Sequence, residues 1–186
     1  MSSLFRDTTT LLASYAGYHR DPRNIATHFV GIPLIVFAVG ALLSHPVLAR
    51  WATPWGPFDL TPAWLLWAAV SLWGLSRGLL GLGLAVAAVN GLLVGLAALV
   101  GTASAQAALA WGLGSFVVGW VFQFVGHYYE GRKPAFVDDL VGLLVGPMFV
   151  VAEALFALGL LGSLRQEIER RAGPTRLRDL AAPAAR

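Results

Sequence analysis

Residues 79–100 read LLGLGLAVAAVNGLLVGLAALV, a run of 22 residues without a charged side chain. A helix needs about 20 predominantly apolar residues to cross a bilayer, so this run is long enough for one span. Asn90 is the one strongly polar residue in the run. The many Gly and Ala residues of the run permit close packing between helices. The run therefore predicts a transmembrane helix.

Further apolar segments lie on both sides of this run. They cover residues 22–43, 63–76, 105–125 and 140–162. The last contains Gly146-Pro147, where the missing proline N–H and the bulk of the ring are expected to break the helix. We therefore predict an all-α fold, a polytopic integral membrane helical bundle with four to five apolar segments, the last broken at Gly146-Pro147.

The composition favours the same class of protein. Charged residues make up 12% of the 186 residues and apolar residues 57%, whereas soluble domains average about 25% charged residues. The chain has no cysteine, which excludes thiolate catalysis, thiolate metal ligands and a disulfide scaffold. The basic residues behind the net charge of +3 lie at the ends of apolar segments. This placement is the positive-inside pattern of membrane proteins, so we expect no nucleic-acid partner.

The chain divides into a single membrane-embedded domain over residues 1–164 and a basic cytosolic tail over residues 165–186. Residues 1–21 are expected to form an interfacial amphipathic helix. Basic residues favour the cytosolic side for both the N-terminus and the tail, and five crossings would not permit this. The last segment is therefore expected to enter the bilayer and return. The alternative is that the short second segment stays at the interface.

Three histidines lie at the ends of predicted spans. His19 precedes the first span, His28 lies one turn into it, and His127 ends the fourth. An even number of crossings between His28 and His127 brings them to one membrane side. Three converging neutral imidazoles would hold a divalent first-row metal, and imidazole suits Fe, Zn, Cu and Ni. The alternatives are separate polar groups at the interface or a haem held by two of them.

Asn24, Gln123 and Glu130 accompany these histidines. Asn24 lies four residues before His28 and Gln123 four residues before His127, so each shares a helix face with its histidine. Glu130 precedes Gly-Arg-Lys, and it is either part of a site or a solvated loop charge.

Glu153 lies inside the last apolar segment. An unpaired carboxylate there costs at least about 2.5 kcal/mol, so we expect its partner to be a metal, a metal-bound histidine or an arginine. The alternative is a structural ion pair with Arg132 or Lys133. Asp138-Asp139 is expected to cap the last helix.

Two separated motifs resemble a known family. Residues 18–33 read YHRDPRNIATHFVGIP, residues 123–135 read QFVGHYYEGRKPA, and a proline and an embedded glutamate follow. In order and spacing these motifs resemble the family of fungal 2-hydroxy fatty acid dioxygenases and their bacterial relatives. The matching positions are Tyr18, His19, Pro22, Asn24, His28, Pro33, Gln123, Phe124, Gly126, His127, Glu130, Lys133, Pro134, Ala135, Pro147 and Glu153.

The resemblance implies an Fe(II)-dependent membrane enzyme. It would use O2 to shorten a long-chain 2-hydroxy fatty acid by one carbon, which is fatty acid α-oxidation. Residues 1–164 would then form the catalytic domain, and the bilayer, the fatty acid and O2 would be its partners. The candidate metal ligands are His19, His28 and His127, with Glu153 as a candidate further ligand, and the candidate catalytic residues are Asn24, Gln123, Glu130 and Glu153.

Two other functions stay open at this point. One is a haem-binding membrane redox protein that uses the same histidines. The other is a non-enzymatic membrane transporter or scaffold, which the embedded Glu153 and the interrupted last segment would fit. The Arg-, Ala- and Gly-rich composition favours the bacterial plasma membrane over the endoplasmic reticulum, and the oligomeric state is left open.

Overall fold

The computed structural model describes residues 3–54, 56–134, 137 and 140–181. Among these residues, three helices are long and apolar enough to cross a membrane, or four if one bent pair counts as a span. The predicted all-α membrane bundle is therefore confirmed. The helices are α1 (Thr8–Ala16), α2 (Pro22–Leu42), α3 (Pro62–Leu75), α4 (Leu80–Gly101), α5 (Ala105–Glu130), α6 (Gly142–Ala157) and α7 (Gly162–Ala172).

Helix α2 begins where its capping residues predict. Asp21 is the N-cap and accepts a hydrogen bond from the Arg23 N–H (2.9 Å), and Pro22 occupies the first turn. A cap residue satisfies one of the free N–H groups at a helix start, and proline there has no N–H to lose. This fixed start determines where the side chains of the first two turns point.

Helices α2 and α5 pack against each other in antiparallel directions. At one end a Cβ on Gly126 would overlap the side chain of Asn24, and at the other end a Cβ on Gly112 would overlap Leu42. Glycine at both positions lets the two backbones approach closely. We call the end that contains the start of α2 and the end of α5 the histidine end of the bundle.

Helix α3 joins the two ends of the bundle. The Ala63 N–H at its start donates to the Leu43 carbonyl just beyond α2 (3.0 Å), and the Arg77 carbonyl just beyond its last turn accepts from the Thr8 N–H at the start of α1 (3.0 Å). The second apolar segment therefore extends from one end of the bundle to the other, and its crossing of the membrane stays a prediction.

The last apolar segment corrects one prediction. Gly146-Pro147 lies within α6, and the chain turns by 119° only between α6 and α7, where Gly159 and Leu161 have φ values of 76° and 54°. The predicted break at Gly146-Pro147 is therefore wrong. Proline in the second turn removes one helical hydrogen bond. The helix continues through Pro147, and Gly146 lies close to the side chains of Ile32 and Tyr15.

Helix α6 does not run the full length of the bundle. Its first residues line a cavity together with Ile35 and Val36, which lie about two thirds of the way along α2, and Glu153 lies near Arg20 at the histidine end. Helix α6 thus runs as one continuous helix toward the histidine end, instead of the two half-helices expected. The entry and return of the last segment in the membrane stays a prediction.

The N-terminal helix and the tail also lie at the histidine end. Helix α1 is shorter than the predicted interfacial helix, and its buried Leu12 packs in the core with α6 and α7. In the tail, the Arg176 N–H donates to the Arg20 carbonyl (2.9 Å), and the Arg178 N–H donates to Asp21 (2.8 Å). The boundary between domain and tail at residue 164 stays a prediction.

A short antiparallel hairpin, β1 (Ala49–Thr53) and β2 (Gly56–Leu60), forms the opposite end of the bundle. The rings of Trp51 and Phe58 stack with centroids 6.0 Å apart, and both side chains are exposed, as expected for aromatic residues at headgroup level. Trp55 lies outside the described residues, as do Asp138 and Asp139, which were expected to cap the last helix.

Candidate metal centre

The three predicted histidines meet at the histidine end. His19 lies in the turn between α1 and α2, His28 on the second turn of α2, and His127 on the last turn of α5. One ring nitrogen from each lies within 4.8 Å of the others, and all three residues are buried, with exposures of 0%, 1% and 6%. The sequence prediction that they converge on one face is confirmed by this geometry.

Backbone carbonyls orient two of the rings. The Nδ1 atom of His19 lies 2.7 Å from the Tyr15 carbonyl, and the Nδ1 atom of His28 lies 2.9 Å from the Asn24 carbonyl. A carbonyl can only accept, so both Nδ1 atoms carry the hydrogen. The two Nε2 atoms of the neutral rings therefore present bare lone pairs to each other, 3.0 Å apart.

This arrangement could hold a metal ion between the rings. Two lone pairs at 3.0 Å repel each other unless a proton or a metal lies between them. Burial and the neighbouring imidazoles hold the pKa of His19 well below its usual range, which disfavours a shared proton. A metal bound at about 2.0–2.1 Å separates two ligand nitrogens by about 2.9–3.3 Å, depending on the angle between them. The observed distance lies within that range.

The third histidine also fits a metal site. The Nδ1 atom of His127 is buried and has no hydrogen-bond partner among the described residues. Its ring centroid lies 4.9 Å from that of His19 and 5.2 Å from that of His28. Three buried imidazoles and no carboxylate make up the described cluster, and a set of imidazoles suits a first-row transition metal.

Two aromatic rings pack on His19. The Tyr15 ring stacks on it with centroids 4.1 Å apart and planes within 7°, and the Phe149 ring lies 5.4 Å away. Burial raises the pKa of the Tyr15 phenol, so it stays a neutral O–H group. Sequence reasoning did not single out Tyr15. The available signal was its position four residues before His19, on the helix that ends just before that histidine.

Glu130 fastens the end of α5 to the turn that carries His19. Its carboxylate accepts hydrogen bonds from the Arg20 N–H (2.9 and 3.0 Å to its two oxygens), the Asp21 N–H (2.9 Å) and the Asn24 side-chain amide (3.0 Å). The alternative of a solvated loop charge is therefore wrong. A carboxylate shared by several donors forms strong, charge-assisted hydrogen bonds that fix the geometry of the turn.

Asn24 belongs to the same hydrogen-bond network. It is fully buried, its amide donates to the Tyr18 carbonyl (3.1 Å) and to Glu130, and its own carbonyl accepts from His28. Asn24 is absent from the lining of the cavity next to the histidines. Its backbone carbonyl orients the His28 ring, and its assignment as a catalytic residue stays a prediction.

A small cavity opens beside the histidines, and we call it the histidine cavity. It has a volume of about 80 Å³. Its lining residues are Tyr15, His28, Ile32, Ile35, Val36, Trp120, Gln123, His127, Pro134, Gly142, Leu143, Gly146 and Pro147. The Gln123 amide nitrogen is buried without a hydrogen-bond partner among the described residues. Of the accompanying polar residues predicted from the sequence, Gln123 is thus the one that faces this cavity.

Glu153 lies outside the described histidine cluster. Its carboxylate is 3.8 Å from the Arg20 guanidinium, and both side chains are largely buried, at 19% and 10% exposure. Its charged partner in the structure is thus Arg20, one of the partner types expected, and not Arg132 or Lys133. The Arg20 guanidinium also donates to the Ala16 and His19 carbonyls (2.8 and 3.0 Å). Through its ion pair with Arg20, Glu153 therefore contacts the turn that carries His19.

Comparison with known proteins agrees with this arrangement. The family model described as "Mpo1-like: 2-hydroxy-palmitic acid dioxygenase Mpo1-like" matches residues 5–158. The chain belongs to the Mpo1-like family. One relative in this family is the 2-hydroxy-palmitic acid dioxygenase MPO1 of Saccharomyces cerevisiae, which is 33% identical over 167 residues, 88% of each chain. No solved structure matches this Mpo1-like chain.

Proposed function

We propose that this protein is an Fe(II)-dependent dioxygenase that shortens long-chain 2-hydroxy fatty acids by one carbon. The observation that carries the proposal is the buried cluster of His19, His28 and His127 beside an apolar cavity. The name of the yeast relative supplies the substrate class and the type of reaction. The choice of iron rests on the imidazole ligand set together with O2 as co-substrate.

The three histidines would hold the metal through the nitrogens that face one another. Iron held there would supply the activation of O2 and Lewis-acid polarisation of the substrate. The carbonyls of Tyr15 and Asn24 keep two of the rings in the tautomer that leaves Nε2 free. Such outer partners orient metal ligands and raise their basicity.

Gln123 and Tyr15 would contact the substrate. Both side chains line the histidine cavity, and the Gln123 amide has a buried N–H without an acceptor. A neutral N–H and a neutral phenol O–H can each donate to an oxygen of a 2-hydroxy acid. Asn24, Glu130 and Glu153 would act as positioning residues, because their contacts run to the turn around His19 and to His28.

The haem alternative fits the site less well. Two axial imidazoles must lie on opposite faces of the macrocycle. Here the three ring centroids lie 4.5–5.2 Å apart in edge-on contacts, and no macrocycle fits between rings this close. A scaffold or transporter would not need three buried imidazoles with facing lone pairs. The bacterial plasma membrane stays our prediction for the location.

Turnover by the purified protein tests the proposal. The full chain, loaded anaerobically with Fe(II), is given 2-hydroxypalmitate and O2, and fatty acid products are measured by mass spectrometry. We expect a 15-carbon product, and none from palmitate, which lacks the hydroxyl group. His28→Ala should abolish the product, whereas His45→Ala, at an exposed position near the opposite end, should retain it. Iron-loaded protein that forms no odd-chain product would overturn the proposal.

A further inference from the structure

A second, larger cavity adjoins the histidine cavity, and we call it the apolar groove. It has a volume of about 310 Å³ and is lined by residues of α2 to α6 and the residue that follows α2. Apart from Asn90 and the tryptophan indoles, its lining side chains are entirely apolar. The two cavities share the lining residues Ile35, Val36, Trp120, Leu143 and Pro147.

The far end of the apolar groove is defined by Leu43 and Ala63, which both line it. A backbone hydrogen bond of 3.0 Å joins these two residues, and Ala63 is 2% exposed. Along α2, the fifteen residues from His28 to Leu43 correspond to about 22 Å at the helical rise. Together the two adjoining cavities thus extend about this far from the candidate metal centre.

This length matches a long acyl chain. A staggered hydrocarbon chain with C–C bonds near 1.5 Å advances about 1.25 Å per bond, so a 16-carbon acid is about 19 Å long. With its first two carbons at the histidines, the rest of the chain would fill the groove up to the region of Leu43. A shorter acid would leave the far end empty, and a longer one would meet its wall.

We propose that the apolar groove holds the hydrocarbon chain of the acid whose head lies at the histidines, and that its far end sets the longest chain accepted. The identity of the head group rests on the proposed function. The hydrocarbon subsite rests on the shared lining residues, the apolar walls and the length. Val39, Leu43 and Ala63 are then the residues that determine chain length.

A plug at Val39 would shorten the groove by a defined amount. Val39 lines the groove and lies four residues before Leu43, which is about 6 Å along α2. At about 1.25 Å per bond, Val39→Phe should lower the longest acid that binds fully by about five carbons. Overpacking costs typically about 1–3 kcal/mol, so binding of the 16-carbon acid should weaken about tenfold relative to the 10-carbon acid.

Direct binding provides the test. The full chain, free of metal and held in lipid nanodiscs, is titrated with radiolabelled 2-hydroxy acids of 10 to 18 carbons. Ala63→Phe should lower the upper limit by fewer carbons than Val39→Phe, and Leu43→Ala should raise it. Ala69→Phe is the matched control, because Ala69 is an exposed residue of α3 outside the groove lining. The Ala69→Phe variant should bind each chain length as the unchanged protein does.

Two results separate this proposal from the proposed function. If Val39→Phe and Ala63→Phe elute as folded protein and keep the chain-length profile of the unchanged chain, the subsite is overturned, even when Fe(II)-loaded protein produces odd-chain acids. If the profile shifts as described but no odd-chain acid forms, the subsite stands and the proposed dioxygenase activity fails.

Discussion

Glu130→Gln tests whether the fastening of α5 to the turn around His19 is needed for the metal centre. The carboxylate accepts from two backbone N–H groups and the Asn24 amide at 2.9–3.0 Å. A hydrogen bond to a charged group contributes about 1.5–3 kcal/mol, and one between neutral groups about 0.5–1.5 kcal/mol. Loss of the charge therefore weakens each of these three contacts by about 1 kcal/mol, and we expect the free energy of unfolding to fall by about 3 kcal/mol.

The same substitution should weaken metal binding. The turn that Glu130 holds carries His19 and begins the helix that carries His28. Loss of an outer partner typically lowers metal affinity by about 10–100-fold. We expect a loss in this range for Glu130→Gln, measured by competition with a chelator of known Fe(II) affinity, together with a lower thermal midpoint.

A second glutamate provides the matched control. Glu167 lies on α7, where its partners are the side chains of Arg170 and Arg171. Exposed ion pairs of this kind contribute little to stability, so Glu167→Gln should leave both the thermal midpoint and the Fe(II) affinity nearly unchanged. If Glu130→Gln behaves in the same way as Glu167→Gln, the fastening role that we assign to Glu130 is refuted.

Three further predictions follow from the packing and the cavity. Gly126→Ala should lower the stability of the bundle by about 1–3 kcal/mol, because its Cβ would overlap Asn24. Gly114→Ala is the control, since no atom lies within 4 Å of the new Cβ, and equal thermal midpoints for the two variants would contradict the close α2–α5 contact. Gln123→Leu should raise the KM for 2-hydroxypalmitate about tenfold at unchanged iron content. The Gln123 side chain lines the cavity and has a buried amide N–H without a partner among the described residues, and a hydrogen bond from this N–H to a substrate oxygen would contribute about 1–3 kcal/mol. An unchanged KM in steady-state kinetics would exclude that contact. Removal of iron by a chelator under anaerobic conditions should lower the thermal midpoint, because a ligand at a hundredfold excess over its Kd stabilises the folded protein by about 2.7 kcal/mol. Identical melting curves with and without the chelator would contradict binding of iron to the folded protein.

The sequence was most informative where composition alone determines structure. Apolar runs near the length of a bilayer predicted the long helices, and the cap Asp21 with Pro22 in the first turn accounts for where α2 begins. The convergence of His28 and His127 followed from the even number of crossings between them. These predictions need only hydropathy, capping chemistry and the direction of each span.

Contacts with the backbone could not be predicted in this way. Glu130 binds N–H groups of Arg20 and Asp21, about 110 positions earlier in the chain, and no side-chain pattern reveals such partners. The break of the last segment was misplaced because Pro147 lies in the second turn of α6, where it removes one helical hydrogen bond and the helix continues. The chain turns instead near Leu161, whose backbone has a left-handed conformation (φ 54°). Leucine rarely adopts this conformation, so the sequence did not indicate a turn there.

The iron content of the purified protein tests the central claim most directly. The full chain and its His19→Ala, His28→Ala and His127→Ala variants are purified without oxygen, incubated with Fe(II), desalted and analysed by elemental mass spectrometry, with His45→Ala as the control. We predict one iron per chain in the unchanged protein and in His45→Ala, and a loss of most of it in each of the other three variants. Unchanged protein without bound iron, or variants that retain the same amount, would contradict the account.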